Sequence, residues 1–380
     1  MHIVYVTETW PPEVNGVALT AARTVDFLRS RGNRVTLVRP RQQAEVGTPS
    51  DTVLARGVPI PRYEGLRFGL PMGAALAQAW SEDPPDLVHV ATEGPLGWSA
   101  VRTAVRLDIP LSSDFRTRFD NYTQFYAGRF LTGIVSAYLR RFHNRCGRTF
   151  VPTDALRSEL SAMGYQRLQV SGRGVDSQRF DPVHRCEALR KQWGADGPVA
   201  LYVGRLAAEK NLPLALDAYT AMRRANPATR LVVVGDGPLR DTVRQRCPDA
   251  ILAGVQRGDA LSAHYASADI FLFPSLTETF GNVTLEAMAS GLATVAFRNG
   301  AAAQHIRHGS NGFALEPGDD AGFIAAAVRL GATPALCERV GQAARTDARA
   351  VDWDRILTDF ARSLETLAQT ETIDGRAILA

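Results

Sequence analysis

The sequence predicts an α/β protein of two doubly wound parallel-sheet domains with a ligand cleft between them. Three observations lead there. The chain has 380 residues, too many for one ordinary core and enough for two domains. Strand-like apolar runs alternate with helical patterns along its whole length, as parallel sheets covered by helices on both faces require. The alternation also falls into two series, divided by the glycine-containing polar stretch VSGRGVDSQR at 170–179. The expected domains are 1–172 and 173–350, with a terminal helix in 351–380 that packs back toward the first domain. Ligands bind such sheets at the carboxyl ends of the strands, hence the expected cleft.

The elements follow in order. In the first half the apolar runs are 3–7, 34–38, 87–91, 110–113 and 149–152. Between the first two, residues 18–31 carry Leu19, Ala22, Val25, Phe27 and Leu28 at amphipathic-helix spacing. In the second half the runs are 199–204, 230–235, 250–253, 270–274 and 293–297, with helices between. The last helix is expected over 352–367, with Ile356, Leu357, Phe360, Leu364 and Leu367 on one face, and the tail from Gln369 is expected to fray.

Composition narrows the class. An apolar content of 45% fits a globular protein. The four cysteines are scattered without paired spacing, which argues against a zinc site or disulfide framework and fits a reducing cytoplasm. The start, MHIVYVTETW, reads as a strand and turn rather than a signal peptide, and no apolar run reaches the ~18–20 residues of a spanning helix. Residues 1–170 hold 20 Arg against 15 acids, and residues 121–153 hold no acid at all. There Arg129, Arg140, Arg141, Arg145 and Arg148 interleave with Phe130, Leu131, Ile134, Val135, Tyr138, Leu139 and Phe142. Such a helix either packs in a core with a solvated Arg face or lies on an anionic lipid surface. Peripheral membrane contact through 129–148 is therefore an expectation, and nucleic acid is not, because no recognition motif accompanies the charge. Only Lys191 and Lys210 are lysines among 43 basic residues, which makes Lys210 conspicuous.

Three loops follow strands so as to expose backbone N–H groups: TETWPPEVNGVALTAART with Gly16, LYVGRLAAEKNLPLALDAY with Gly204, Arg205 and Lys210, and SLTETFGNVTLEAM with Gly281 and Asn282. A helix N-terminus beside a glycine favours anions, and Arg205 and Lys210 add fixed positive charge. Glu278 and Glu286 stand eight positions apart around the third loop. Each feature also has a plainer reading, as surface charge or as a helix cap. Together they describe a site for a ligand with a diphosphate and hydroxyl groups.

On these residues the chain resembles the retaining glycosyltransferases of family four, the glycogen synthase-like group, which use the GT-B fold of two facing Rossmann-like domains. The resemblance runs through GRLAAEKN (204–211), GDGPLR (235–240), PSLTETFGNVTLEAMASGLATVA (274–296) and GRGVDSQRFDP (172–182). TETWPPEVNGVA and DLVHVATEGPLGWSA are similar to the branch holding phosphatidylinositol and glycolipid mannosyltransferases and sulfolipid synthases. It implies a first domain that binds acceptor and a second that binds nucleotide sugar. Transfer would be of a hexose, mannose favoured, in α linkage to a hydroxyl acceptor, with a glycolipid or lipid-linked compound among the options. The donor would be GDP-mannose or a UDP-sugar, with no other cofactor and no metal. Glu286 would hold the ribose hydroxyls and Glu278 a sugar hydroxyl. N–H groups at Phe280, Gly281, Asn282 and Val283 would line the sugar and diphosphate. Arg205 and Lys210 would meet the leaving diphosphate, Gly16 and Gly204 would let backbone approach it, and backbone around Val255 would meet the base. The expected place is the cytoplasm, peripherally at the inner face of the cell membrane.

One position departs from the family. Where many relatives carry a His against the donor sugar, SSDFRTRFDNY places Arg116. Arginine cannot act as a base, so its role would be contact with sugar, phosphate or acceptor, with Asp114 or Asp120 as partner. His89, at a strand end, reads as a packed histidine rather than a catalytic one. Two alternatives stay open: a nucleotide-sugar epimerase of the same fold, and a non-catalytic nucleotide-sugar-binding protein.

Overall fold

The computed structural model describes residues 1–13, 16–42, 45, 47, 49–59, 67–116 and 129–378, with backbone alone for 129–132 and 371–378. The chain divides into two compact units, residues 1–172 with 354–380 and residues 173–353.

In the first unit a seven-stranded sheet runs in the order β3-β2-β1-β6-β7-β8-β9, all parallel. The strands are β1 His2–Val6, β2 Arg34–Pro40, β3 Thr52–Ala55, β6 Leu87–Val90, β7 Leu111–Asp114, β8 Arg148–Val151 and β9 Leu168–Val170. A separate antiparallel hairpin joins β4 Gly57–Pro59 to β5 Arg67–Gly69. β1 and β6 are almost fully buried, which their unbroken apolar runs require of strands covered on both faces. The sheet's order reverses between β1 and β6, so their carboxyl ends open at a topological switch point.

The second unit holds a six-stranded parallel sheet in the order β12-β11-β10-β13-β14-β15. These strands are β10 Val199–Val203, β11 Arg230–Val234, β12 Ile251–Gly254, β13 Ile270–Phe273, β14 Ala293–Phe297 and β15 Phe313–Leu315. One face of this sheet packs on Leu214, Leu216, Tyr219 and Phe323, the other on Tyr265, Phe280, Leu285 and Met288. Its switch point lies between β10 and β13.

Three readings are corrected. The first helix is Gly16–Ser30, and its buried face is Ala18, Thr20, Ala21, Thr24, Val25 and Leu28, leaving Leu19 54% exposed. Leu19 lies on the helix face turned away from Ala18, Ala21, Val25 and Leu28. The short strands β3, β9 and β15 were not predicted, being only three or four residues long. The expected frayed tail is helical: the last helix runs Trp353–Ile378, with no proline to stop it. Within the first unit Leu357, Phe360, Leu364 and Leu367 of that helix are buried, and Phe360 lies 4.6 Å from Phe150 between ring centroids. No helix among the described residues is long and apolar enough to cross a membrane.

Candidate functional site

The carboxyl ends of β10 and β13 bring together residues far apart in sequence. The chain leaves β10 through Gly204 and Arg205, makes a short 3-10 turn at Ala208–Lys210 and enters the Leu212–Ala225 helix. It leaves β13 through Pro274 into the loop carrying Glu278, then enters the Asn282–Ala289 helix. The two exits are tied by Leu276 N–H donating to the Glu209 carbonyl at 3.0 Å. Lys210 Nζ donates to Glu278 Oε1 at 2.5 Å, and Nζ also sits 5.8 Å from the Phe273 ring centroid. The two residues assigned to different parts of the ligand are thus paired directly. Arg205 is half-buried, 4.0 Å from the buried carboxylate of Glu209.

Close approach explains one glycine and a left-handed backbone another. Gly235, at φ 132°, lies against the Gly204 carbonyl, where a Cβ would collide; the exits of β10 and β11 meet backbone to backbone. Gly281, at φ 84°, precedes the Asn282–Ala289 helix in a left-handed conformation and supplies no side-chain cap. The first N–H groups of that helix have no intrahelical acceptor. Its first turn holds no acid, and Glu278, which precedes it, is paired with Lys210. The loop is strapped from behind: Asn299 Nδ2 donates to the Ser275 carbonyl at 2.7 Å and Ala301 N–H to the Phe280 carbonyl at 2.5 Å. Asn282 Oδ1 is buried and accepts no hydrogen bond among the described residues.

Glu286 sits one turn into the same helix. Burial pushes its carboxyl up to about 7, against the opposing pull of the Tyr265 hydroxyl and the Arg179 charge. One edge of the residue still meets solvent. Tyr265 donates to Oε2 at 2.9 Å. Arg173, buried at the start of the unit, lies 5.8 Å from the Phe280 ring centroid. Val255, just past β12, is 51% exposed.

In the first unit, Gly16 opens the Gly16–Ser30 helix. Val14 and Asn15 of the same motif, Asp120, and the side chains of Arg129, Phe130 and Leu131 lie outside the described residues. Arg116 is buried and bound to Asp114, with Nε donating at 2.5 Å. Its Nη2 donates to the Tyr5 hydroxyl at 3.3 Å, while Nη1 finds no acceptor among the described residues. Burial alone would oppose ionisation of Asp114, but the Arg116 and His89 charges outweigh it and hold the carboxyl well below its ordinary range. His89 is wholly buried, bridging Ser112 Oγ at 2.9 Å and Asp114 Oδ2 at 3.2 Å. Its place is that of a packed strand histidine in the network behind Arg116.

Two further carboxylates were not anticipated. Glu8, at the end of β1, accepts from the Leu96 N–H at 2.8 Å and caps the Pro95–Arg106 helix, filling the position an anion would take. Burial raises its carboxyl to about 7 despite those N–H groups. Glu93 Oε1 lies 3.4 Å from His143 Nε2, both buried. Glu8, Glu93 and Tyr265 stand alone in apolar or turn sequence, and only the fold shows what they face. Among the described residues no cluster of His, Cys, Asp or Glu could hold a metal ion.

The family model described as "Glycosyltransferase Family 4" matches residues 14–179, and "Glycosyl transferases group 1" matches residues 197–332. The GDP-mannose-dependent alpha-mannosyltransferase of Mycolicibacterium smegmatis is 34% identical over 303 residues, 78% of this chain and 79% of that one. A Mycobacterium tuberculosis relative, a GDP-mannose-dependent alpha-(1-6)-phosphatidylinositol dimannoside mannosyltransferase, is 31% identical over 324 residues, 80% of this chain and 82% of that one. The sucrose-phosphate synthase structure from Thermosynechococcus elongatus superposes with a TM-score of 0.80 at 18% identity, covering 97% of this chain and 99% of that one. The architecture is that of the GT-B glycosyltransferases. The chain belongs to glycosyltransferase family four and is a hexosyltransferase.

Proposed function

We propose that the protein is a retaining α-mannosyltransferase that takes GDP-mannose as donor and a lipid-linked hydroxyl compound as acceptor. The observation that carries the reading is the Lys210–Glu278 pair at the β10/β13 switch point, with Arg205 and Glu286 in the same unit. The names of the two mannosyltransferase relatives favour this donor and, for one, a lipid acceptor.

The chemistry assigns each group a task. As the sugar leaves, negative charge grows on the diphosphate, and Lys210 and Arg205 are preorganised cations able to meet it. Donor binding exchanges the Lys210–Glu278 contact: Lys210 turns to phosphate, and Glu278 to a sugar hydroxyl. N–H groups at Phe280, Gly281, Asn282 and Val283 receive the remaining oxygens, with Gly204 allowing close backbone approach. Glu286 accepts from the ribose hydroxyls, and backbone at Val255 meets the base. Arg116 directs an N–H at an oxygen of donor or acceptor rather than acting as a base. Two cations replace a metal in this scheme. The acceptor attacks the face from which the diphosphate departs, its proton passing to a leaving phosphate oxygen, and the anomeric configuration is kept. A glycosyl adduct trapped on Glu278 would contradict this.

Membrane contact belongs to the same reading. On the Arg129–His143 helix, Ile134 is 57% exposed and Arg140 and Arg141 are exposed, while Leu139 and Phe142 are buried. These exposed residues are the ones that peripheral contact with the inner face of the cell membrane, from the cytoplasm, would use.

The test is release of GDP from GDP-mannose with and without a diacylglycerol or phosphatidylinositol acceptor. Lys210→Ala is expected to lower kcat by roughly 10²–10³, with a smaller change in KM. Equal turnover in the parent and Lys210→Ala would remove Lys210 from the chemistry. Nucleotide binding without sugar transfer to any acceptor would favour a non-catalytic protein.

A further inference from the structure

The two oxygens of Glu286 are not equivalent. Oε2 accepts the Tyr265 hydroxyl at 2.9 Å, while Oε1 makes no hydrogen bond among the described residues. Tyr265 is wholly buried on the Gly258–Ala266 helix. Its ring stands edge-on to Phe180, 5.5 Å between centroids at 89°, and lies 5.9 Å from Phe271. Aromatic packing on two sides fixes the ring, so the phenol oxygen points at one place. A buried phenol needs an acceptor, and here it has one carboxylate oxygen.

The surroundings leave this contact without a rival. Arg179 acts on Glu286 through its charge alone. The Pro334–Arg349 helix packs along the Asn282–Ala289 helix. From it, Arg345 is tied to Asp181 at 2.6 Å and Asp347 to Arg307 at 2.5 Å, with Arg349 acting on Asp181. On the adjoining Gly300–His305 helix, burial lowers the pKa of His305, which packs on Phe280.

We infer that Tyr265 is a positioning residue for the donor: its hydroxyl anchors one carboxylate oxygen of Glu286 and presents the other to the ribose diol. This rests on the reading that Glu286 binds the ribose. The ribose lies away from the reacting centre, so its contact is equal in ground and transition states. Loss of the anchor therefore raises KM and spares kcat. The hydroxyl also favours the ionised carboxylate. The acid limb of donor binding, where affinity falls as pH drops through about 7, moves to higher pH when the hydroxyl is removed.

Tyr265→Phe deletes that oxygen and keeps the ring. Its donor KM for GDP-mannose is expected to rise about tenfold at pH 8 with kcat within about twofold, as for one lost charged hydrogen bond. The midpoint of the acid limb is expected to rise, whereas Glu286→Gln abolishes the limb. An unchanged KM and midpoint in Tyr265→Phe, with Glu286→Gln impaired, would overturn the inference alone. An unimpaired Glu286→Gln would instead overturn the ribose assignment beneath it. A second measurement needs no variant: GDP-mannose, whose diphosphate does not titrate in this range, should bind the parent protein less tightly on the acid side of about 7 between pH 5.5 and 8.5. A flat curve would place the ionisation of Glu286 below that range; an unchanged donor KM in Glu286→Asp, which withdraws the carboxylate from the Tyr265 hydroxyl, overturns the inference even if Tyr265→Phe does not fold.

Discussion

Glu8 and Glu286 are both carboxyls raised by burial to about 7, but the sequence singles out only Glu286 as a candidate, while Glu8 goes unremarked inside TETWPPEVNGVA. The eight-residue interval from Glu278 to Glu286 and the isolated Lys210 mark a polar site before any fold is known. The pairing of Lys210 with Glu278, across 68 positions, was not legible, because it depends on β10 lying beside β13. Glu8 was missed because a lone acid after a strand reads as a solvated turn residue. The structure instead sets it against the N–H groups of Leu96 and Gly97. A pH dependence follows. Between about 4.5, the ordinary glutamate value, and about 7, the native state keeps a proton that the unfolded chain has released. Stability therefore declines as pH rises through that window and levels off above it. Glu8→Gln keeps an amide oxygen for the Leu96 N–H and cannot ionise. Its melting temperature is expected to fall less than the parent's between pH 5 and pH 7.5. Parallel curves would show that Glu8 does not carry a buried proton.

At the scale of elements, the long strands and the last helix were legible because burial imposes runs and periods on them: β10 is wholly buried, and Leu357, Phe360, Leu364 and Leu367 recur on one face. β3 and β9 lie at the two edges of their sheet and β15 at an edge of the other, where three or four residues are too few to set a pattern. The Gly16–Ser30 helix shows a different limit, since its contact face adds Ala18, Thr20, Ala21 and Thr24 to Val25 and Leu28, and a search for large apolar residues finds only the last two. The Arg129–His143 helix was open to two readings, and the described part satisfies both. Leu139 and Phe142 pack inward, while Ile134, Arg140 and Arg141 face solvent. If this helix meets lipid, binding to vesicles holding anionic phospholipid should weaken at 0.5 M salt and drop several-fold in Arg140→Ala/Arg141→Ala. Binding indifferent to both changes would remove the helix from any membrane role.

At the scale of the whole molecule, the chain forms two parallel-sheet units, each with its own switch point where ligands bind such sheets. The alternation of elements foretold both sheets, and the family resemblance foretold the class. Neither determines the donor nucleotide, since base recognition in this reading uses backbone near Val255. The account's central claim is retaining mannosyl transfer from GDP-mannose. The most direct test is incubation with GDP-mannose, UDP-glucose and UDP-galactose in turn, with a lipid acceptor, followed by proton NMR of any glycolipid formed. The account predicts an α-mannoside from GDP-mannose as the dominant product. A β-anomeric product, or efficient transfer from a UDP-sugar with none from GDP-mannose, would contradict it.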